Sequence, residues 1–398
     1  MAAARISAQA HAKKGGIRCP AKALHYSCHL APWGYQSRDQ TEYMHWNGNF
    51  AALLFINSWE YTQNLTFARE QVYPLLEGLN AWWGCFLTKT PLPGGGYVYN
   101  DASIKDPDNE HENQVCANPQ IGLAFVRRSL AAQLEIAKAI GVQPDPIVRD
   151  MLEHFPELNR RRCPDLPGST CAGQTIWTEC AGHSILRSDG FSNYALWPSE
   201  LVNLASSAAD RVIAHASVTH YWLHGHGQIK QVHLPSMMVR AGLPGNETLK
   251  VLTDFLRGNQ RGSFIPRAPG GGTENLGMSV AINDMLVQAP TRDYIVLFPA
   301  WDRAQDASFN NLLVKGAVEV SAAWVAAARS IVNVSVVARP EHVGKVVLEG
   351  VGATATAACA DGTRPEVTFA MGRLSFTAPP GVRCHVVEPA RGGRLTQY

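Results

Sequence analysis

Apolar residues recur at helical spacing from about residue 41 to 290 and change to strand-like alternation towards the end of the chain. One helix is marked at both ends. Asn118 is placed to cap it, Pro119 takes the first helical position, and Gly141 stops it. Between them Ile121, Leu123, Phe125, Leu130, Leu134, Ala137 and Ile140 make an apolar stripe. Asp145-Pro146 opens the next helix in the same way, with Ile147, Met151, Leu152 and Phe155 as its apolar face. Further helices are predicted over 67–87, 198–226, 234–242, 246–257 and 275–288. In the first, Val72, Leu75, Leu79, Trp82 and Phe86 share a face, and Pro74 bends the early turns. Strands are predicted at 294–298, 331–337, 346–348, 366–369, 374–376 and 385–387, divided by Gly and Pro turns. Residues 1–40 read as an irregular lead-in. The pattern alone permits a helical bundle, a solenoid or a toroid, and no fixed repeat supports the solenoid.

Composition narrows the function classes. At 398 residues the chain can hold one large domain and a smaller one. A net charge of +2 offers no polyanion footprint, so no nucleic-acid partner is expected. No apolar run is long enough to span a bilayer, so no membrane partner is expected either. The first residues lack the apolar centre of a signal peptide, which leaves the compartment open. Nine cysteines are scattered without a metal-ligand spacing, and Cys163, Cys171 and Cys180 cluster in one loop as free thiols or with a disulfide. His224 and His226 have no third ligand at sensible spacing, so neither metal nor cofactor is expected. Ten tryptophans suit a core or the faces of sugar rings. The oligomeric state is not legible.

Three segments offer chemistry. Gly270-Gly-Gly-Thr-Glu274-Asn275 delivers a carboxylate on a glycine hinge just ahead of a predicted helix, whose free N–H groups favour an anion. A helix cap beside a solvated Glu is the plainer reading. Glu42-Tyr-Met-His45-Trp46-Asn47-Gly-Asn49-Phe50 carries two amides that face one side if the segment is extended. Taken alone, Asn-Gly-Asn is a turn signal. Residues 99–113 crowd carboxylates, Glu110 and Glu112 around His111 among them, and crowding raises the pKa of one. A solvated acidic loop or a cation site is the plainer alternative there.

Phe298-Pro-Ala-Trp301 and Gly316-Ala-Val-Glu-Val-Ser-Ala-Ala-Trp324 follow the glycine hinge. This succession, with residues 43–50, resembles the catalytic domain of glycoside hydrolase family 95, the inverting α-L-fucosidases, over roughly residues 41–340. The resemblance implies a mainly α fold, an (α/α)6 toroid of the six-hairpin glycosidase kind over 41–327, and the strand pattern itself predicts a small C-terminal β-sandwich over 328–398. It implies a terminal sugar such as an α-L-fucoside in an oligosaccharide or glycoside, cleaved with inversion. Inversion needs a protonated carboxyl for the leaving oxygen and an activated water on the opposite face. By position, Glu112 is the acid, with Glu110 as its alternative. Asn47 and Asn49 hold the water as the family's Asn-x-Asn pair does, and Glu274 activates it. His45, Trp46, Glu110, His111, Trp177, Asn275 and Trp301 line the substrate.

Two departures accompany the resemblance. Thr273, not Glu274, stands opposite the family's Asp, and the acid loop lacks the family's Ser-Pro-Glu pattern. The family's front β-sandwich is not visible, so an isolated or truncated catalytic region is expected. Two rival readings stand beside the hydrolase. One is a carbohydrate-binding toroid with a decayed site. The other is a polysaccharide lyase, for which Tyr43 and His45 would supply the Tyr/His pair.

Overall fold

The computed structural model describes residues 2–14, 16–26, 45–101, 117–180, 190–225, 230–259 and 277–388. The chain divides into two compact units, Met1–Trp59 with Asn64–Lys230, and Glu60–Gln63 with Gln231–Tyr398. No helix among the described residues is long and apolar enough to cross a membrane.

The first unit is helical with two short hairpins. After α1 (Ala2–Lys14) and α2 (Asn47–Thr62), the chain enters α3 (Leu65–Phe67), capped by the Asn64 side chain, which accepts from Phe67 N–H. A π turn at Ala68–Val72 then leads into α4 (Tyr73–Phe86). The sequence predicts a bend here, and the π turn is its form. Pro74 sits in the first turn of α4 and has no N–H to give the turn before it. The hairpin β1 (Thr88–Pro91) and β2 (Tyr97–Asn100) turns through three glycines, Gly94 to Gly96, all with positive φ.

Next come α5 (Gln120–Ile140) and α6 (Pro146–Glu153). Gly141 ends α5 at φ 73°, and Asp145 caps α6 by accepting from Ile147 N–H. Pro119 is the cap of α5, one residue later than the predicted Asn118. The hairpin β3 (Arg160–Arg162) and β4 (Thr175–Trp177) precedes α7 (Ala208–His224).

A buried polar network joins α2, α4 and α5. Asn49, Asn80, Ser129 and Gln133 are all fully buried. Asn80 donates to Gln133 Oε1 at 2.7 Å and accepts from Ser129 Oγ at 2.8 Å. Asn49 donates to Ser129 Oγ at 2.7 Å. In an apolar interior such groups tolerate little displacement, because each lost partner costs a desolvated polar atom about 1–3 kcal/mol.

The second unit combines α8 (Lys230–Arg240), α9 (Gly245–Asn259) and α10 (Gly277–Leu286) with strands. These are β5 (Val287–Gln288), β6 (Tyr294–Leu297), β7 (Ala307–Val314), β8 (Val318–Val325), β9 (Ser330–Ala338), β10 (Val346–Glu349), β11 (Thr356–Cys359), β12 (Thr368–Ala370), β13 (Arg373–Phe376) and β14 (Arg383–Val387). They form two five-stranded sheets, in the orders β12-β13-β10-β6-β5 and β11-β14-β9-β8-β7. Only the β10–β6 pairing within them is parallel. Ile295, Leu348 and Phe376 from one sheet join Val318, Val320 and Val336 from the other in a single apolar cluster. The Cys359–Cys384 disulfide links directly paired residues of β11 and β14.

The expectation of a mainly α toroid is overturned. Among the described residues helix accounts for 40% and strand for 21%, with several multi-stranded sheets. In the second unit strands begin at Val287, ahead of the residue-328 boundary expected for the β-sandwich. The reason lies in residues 307–325, which the family resemblance carries into the helical region. Val318 and Val320 are buried while Glu319 between them is not, and this period of two, with β-branched residues at both buried positions, belongs to a strand. The predicted helix over 198–226 also shortens, to Ala208–His224. Ahead of it Asn203 Oδ1 accepts from Ala205 N–H, Ser206 Oγ accepts from Asn203 N–H, and Ser207 caps the helix. Side chains that bond the nearby backbone compete with helix formation.

Candidate active site

The Asn-Gly-Asn segment opens α2 and is not extended. Residues two apart on a helix point some 200° apart around its axis, so Asn47 and Asn49 do not share a side. That corrects the expected geometry of the pair. Asn49 turns inward, where its Oδ1 accepts the Trp83 indole N–H at 2.7 Å while Nδ2 reaches Ser129. Asn47 is half-buried. Gly48 between them serves packing: a Cβ there would stand 2.5 Å from Leu79 Cδ2 and 3.1 Å from Tyr26 Cδ2.

His45 and Trp46, just ahead of α2, are both buried. The His45 ring bonds His25 through Nδ1 and Nε2 at 2.8 Å, and His25 bonds Ser7 Oγ at 2.9 Å. Phe86 flanks His45, with ring centroids 4.5 Å apart. Trp46 packs against Phe125 at 5.8 Å. His25 lies in the stretch read as irregular lead-in, and no sequence signal ties it to His45. Only the fold makes this Ser–His–His chain.

The acidic loop carrying Glu110, His111 and Glu112 lies outside the described residues, as do Glu274 and Asn275. The two ends of the acidic loop are described, and they are laced together. Asp101 N–H donates to Asn118 Oδ1 at 2.8 Å, and Asn118 N–H donates back to Asp101 O at 3.2 Å. Asn118 Nδ2 also donates to Asn100 Oδ1 at 2.8 Å. Asn118 sits at φ 50°, a left-handed conformation that Asn tolerates better than most residues. Asp101 is buried at 5% exposure. With Trp83, Leu87, Asn118, Pro119 and Phe155 it lines a narrow depression. The sequence reading missed Asp101 as a candidate because a carboxylate at the start of an acidic run looks solvated.

The hairpin that feeds this loop is strapped to α6. The Tyr97 and Tyr99 hydroxyls both donate to the Asp150 carboxylate, and Lys89 Nζ lies 3.0 Å from it. Those phenol hydrogen bonds, Tyr97's above all, hold Asp150 well below the usual carboxylate range. Burial, followed by the Asp150 contact, raises the Tyr99 phenol to about 12.

Of the remaining expected residues, Trp177 is 2% exposed in β4, where its backbone N–H donates to Ser217 Oγ at 2.8 Å. Trp301 belongs to the second unit, half-buried, with its indole N–H donated to Gln305 O at 2.9 Å. The described residues therefore gather His45, Trp46, Asn47 and Asn49 in the first unit, with the Asp101–Asn118 gate of the acidic loop in that same unit. No curated protein matches the chain. Residues 4–163, less than half of the 398, match the family model described as the glycosyl hydrolase family 95 catalytic domain, which supports glycoside hydrolase activity on a carbohydrate substrate.

Proposed function

We propose that this chain is an inverting glycosidase that releases a terminal sugar of the α-L-fucose type. Glu112 protonates the leaving oxygen, with Glu110 the alternative. Asn47 holds the attacking water, and Glu274 polarises it. Asn49 is a positioning residue in this reading, because its amide is engaged by Trp83 and Ser129. The observation that carries the proposal is the family match itself. Its 4–163 span includes both the Asn47-Gly-Asn49 segment and the acidic loop.

The chemistry asks for two carboxyl groups on opposite faces of the sugar. The acid needs a raised pKa, and the base side needs room for a water. A loop crowded with carboxylates favours the first requirement. His111, Asn275 and Trp301 are proposed to contact the sugar, and the buried His45, Trp46 and Trp177 to position groups that do. A screen of aryl glycosides of L-fucose, L-galactose and L-arabinose tests the reading. Release from at least one is expected, and no release from any counts against it.

The inward commitment of Asn49 favours one second reading, carbohydrate binding without turnover. Saturable sugar binding with no product over long incubation would select it.

A further inference from the structure

The connection between β3 and β4 carries a cluster that sequence spacing conceals. Cys163 follows β3 directly, Cys171 lies eight positions later, and both are buried beside His220 of α7. Exposure is 3% for Cys163 and 1% for each of the other two. One ligand atom from each of the three lies within 4.8 Å of the others. Cys163 Sγ is 3.7 Å from His220 Nδ1. Ser169 Oγ stands 3.7 Å from Cys163 Sγ and 3.4 Å from Cys171 Sγ. His224, one turn further along α7, places its ring centroid 5.1 Å from that of His220. Both imidazoles have a buried Nε2 without a hydrogen-bond partner among the described residues.

The two cysteines form a disulfide here. Their backbone, however, is held independently of that bond. Cys163 N–H donates to Gln174 O at 2.7 Å, Gln174 N–H to Cys171 O at 2.8 Å, and Gly173 N–H to Cys163 O at 3.3 Å. Opening the disulfide therefore leaves the two sulfurs near each other and near the imidazole.

We propose that Cys163, Cys171 and His220 form a redox-gated site for a thiophilic divalent cation of the zinc type. A dithiol gives the disulfide two electrons and two protons and closes to its own disulfide; a phosphine gives the two electrons, water supplies the two protons, and the phosphine leaves as its oxide. The cation then displaces the two thiol protons to solvent and binds two thiolates and one neutral imidazole, the softness and ligand types that zinc prefers. Two thiolates neutralise the dication, so the buried complex carries no net charge, and burial does not strand an unpaired ion. The disulfide and the metal are alternative states of the same pair of sulfurs. In an oxidising setting the disulfide clamps the β3–β4 connection, and in a reducing one the metal takes its place.

The test uses the full chain. Protein reduced with a phosphine and desalted without air is titrated with Co2+, with oxidised protein in parallel. The reduced protein is expected to develop a thiolate-to-cobalt charge-transfer band that saturates near one equivalent, and the oxidised protein none at this site. Cys171→Ser should abolish the band. His220→Gln should weaken Co2+ binding by about tenfold or more, which keeps the test decisive if Cys171→Ser fails to fold by circular dichroism. Folded, reduced wild type without the band overturns the proposal. So does a band undiminished in both variants, because other cysteines would then be its source.

Discussion

Trp83 donates its indole N–H to the Asn49 side-chain oxygen at 2.7 Å, and the nitrogen of that amide donates to Ser129 on a third helix. On the proposed reading the two amides of the Asn-Gly-Asn segment have separate tasks. Asn49→Ala strips Trp83 of its acceptor in a fully buried site. It should lower unfolding free energy by about 1–3 kcal/mol in urea titration. Asn47→Ala, on the half-buried side, should cost less stability than Asn49→Ala while turnover falls on the order of a hundredfold. Equal stability losses in the two variants would count against this division.

The lacing of Asp101 to Asn118 makes a second expectation. Asn118→Ala removes both side-chain bonds and puts a Cβ-bearing residue with no local hydrogen bond at φ 50°. The ends of the acidic loop then keep the backbone bond from Asn118 N–H to Asp101 O but lose both side-chain bonds, and protonation by the proposed acid, Glu112, should suffer. Hydrolysis of substrates with poor leaving groups should fall more than hydrolysis of activated aryl glycosides, because a good leaving group needs little protonation. A uniform loss across leaving groups would place the defect elsewhere.

Arg240 and Asp284 form a two-point ion pair, at 2.7 and 3.1 Å, with side-chain exposures of 12% and 11%. It ties α8 to α10, the helix that follows the proposed Glu274. Asp284→Ala leaves a buried guanidinium without its carboxylate and should cost about 3–5 kcal/mol. The double replacement Arg240→Met with Asp284→Leu should recover most of that loss, as measured by denaturant midpoints. A single variant as stable as wild type would contradict the pair's burial.

Alkaline stability should depend on Tyr294. Burial, and then its hydrogen bond to Glu349, raises this phenol to about 12. The unfolded phenol loses its proton near pH 10 and the folded one only near 12, so folding stability falls as pH rises between these values. At pH 11 the loss from this group is about 1 kcal/mol. Tyr294→Phe should flatten that part of the profile in urea titrations at pH 9 and 11. An unchanged slope would assign the loss to other groups.

Much of the architecture is written locally, and much of what is not is made by packing between distant segments. The ends of α5 and α6 are legible because Pro119, Gly141, Asp145 and Pro146 act on the backbone next to them. The strands at 331–337 and 346–348 are legible from alternation, within one residue of β9 and β10. Residues 318–320 alternate over a shorter run, Val318 and Val320 about Glu319, but the resemblance assigns them to a helical domain. The Asn-Gly-Asn segment reads as a turn until Gly48 is seen against Leu79, a contact between residues 31 positions apart. His25 with His45, and Cys163 with His220, are likewise made by packing between distant segments. The acid and activator roles of Glu112 and Glu274 rest on resemblance and position in the chain, which is why the chemistry itself must test them.

The most direct measurement is proton NMR of the sugar first released from an aryl α-L-fucoside, read before mutarotation. β-L-Fucose should appear first with the wild-type protein, and a folded Glu274→Gln variant should release none. Release of the α-anomer first, or full turnover by Glu274→Gln, would contradict an inverting hydrolase built on these residues.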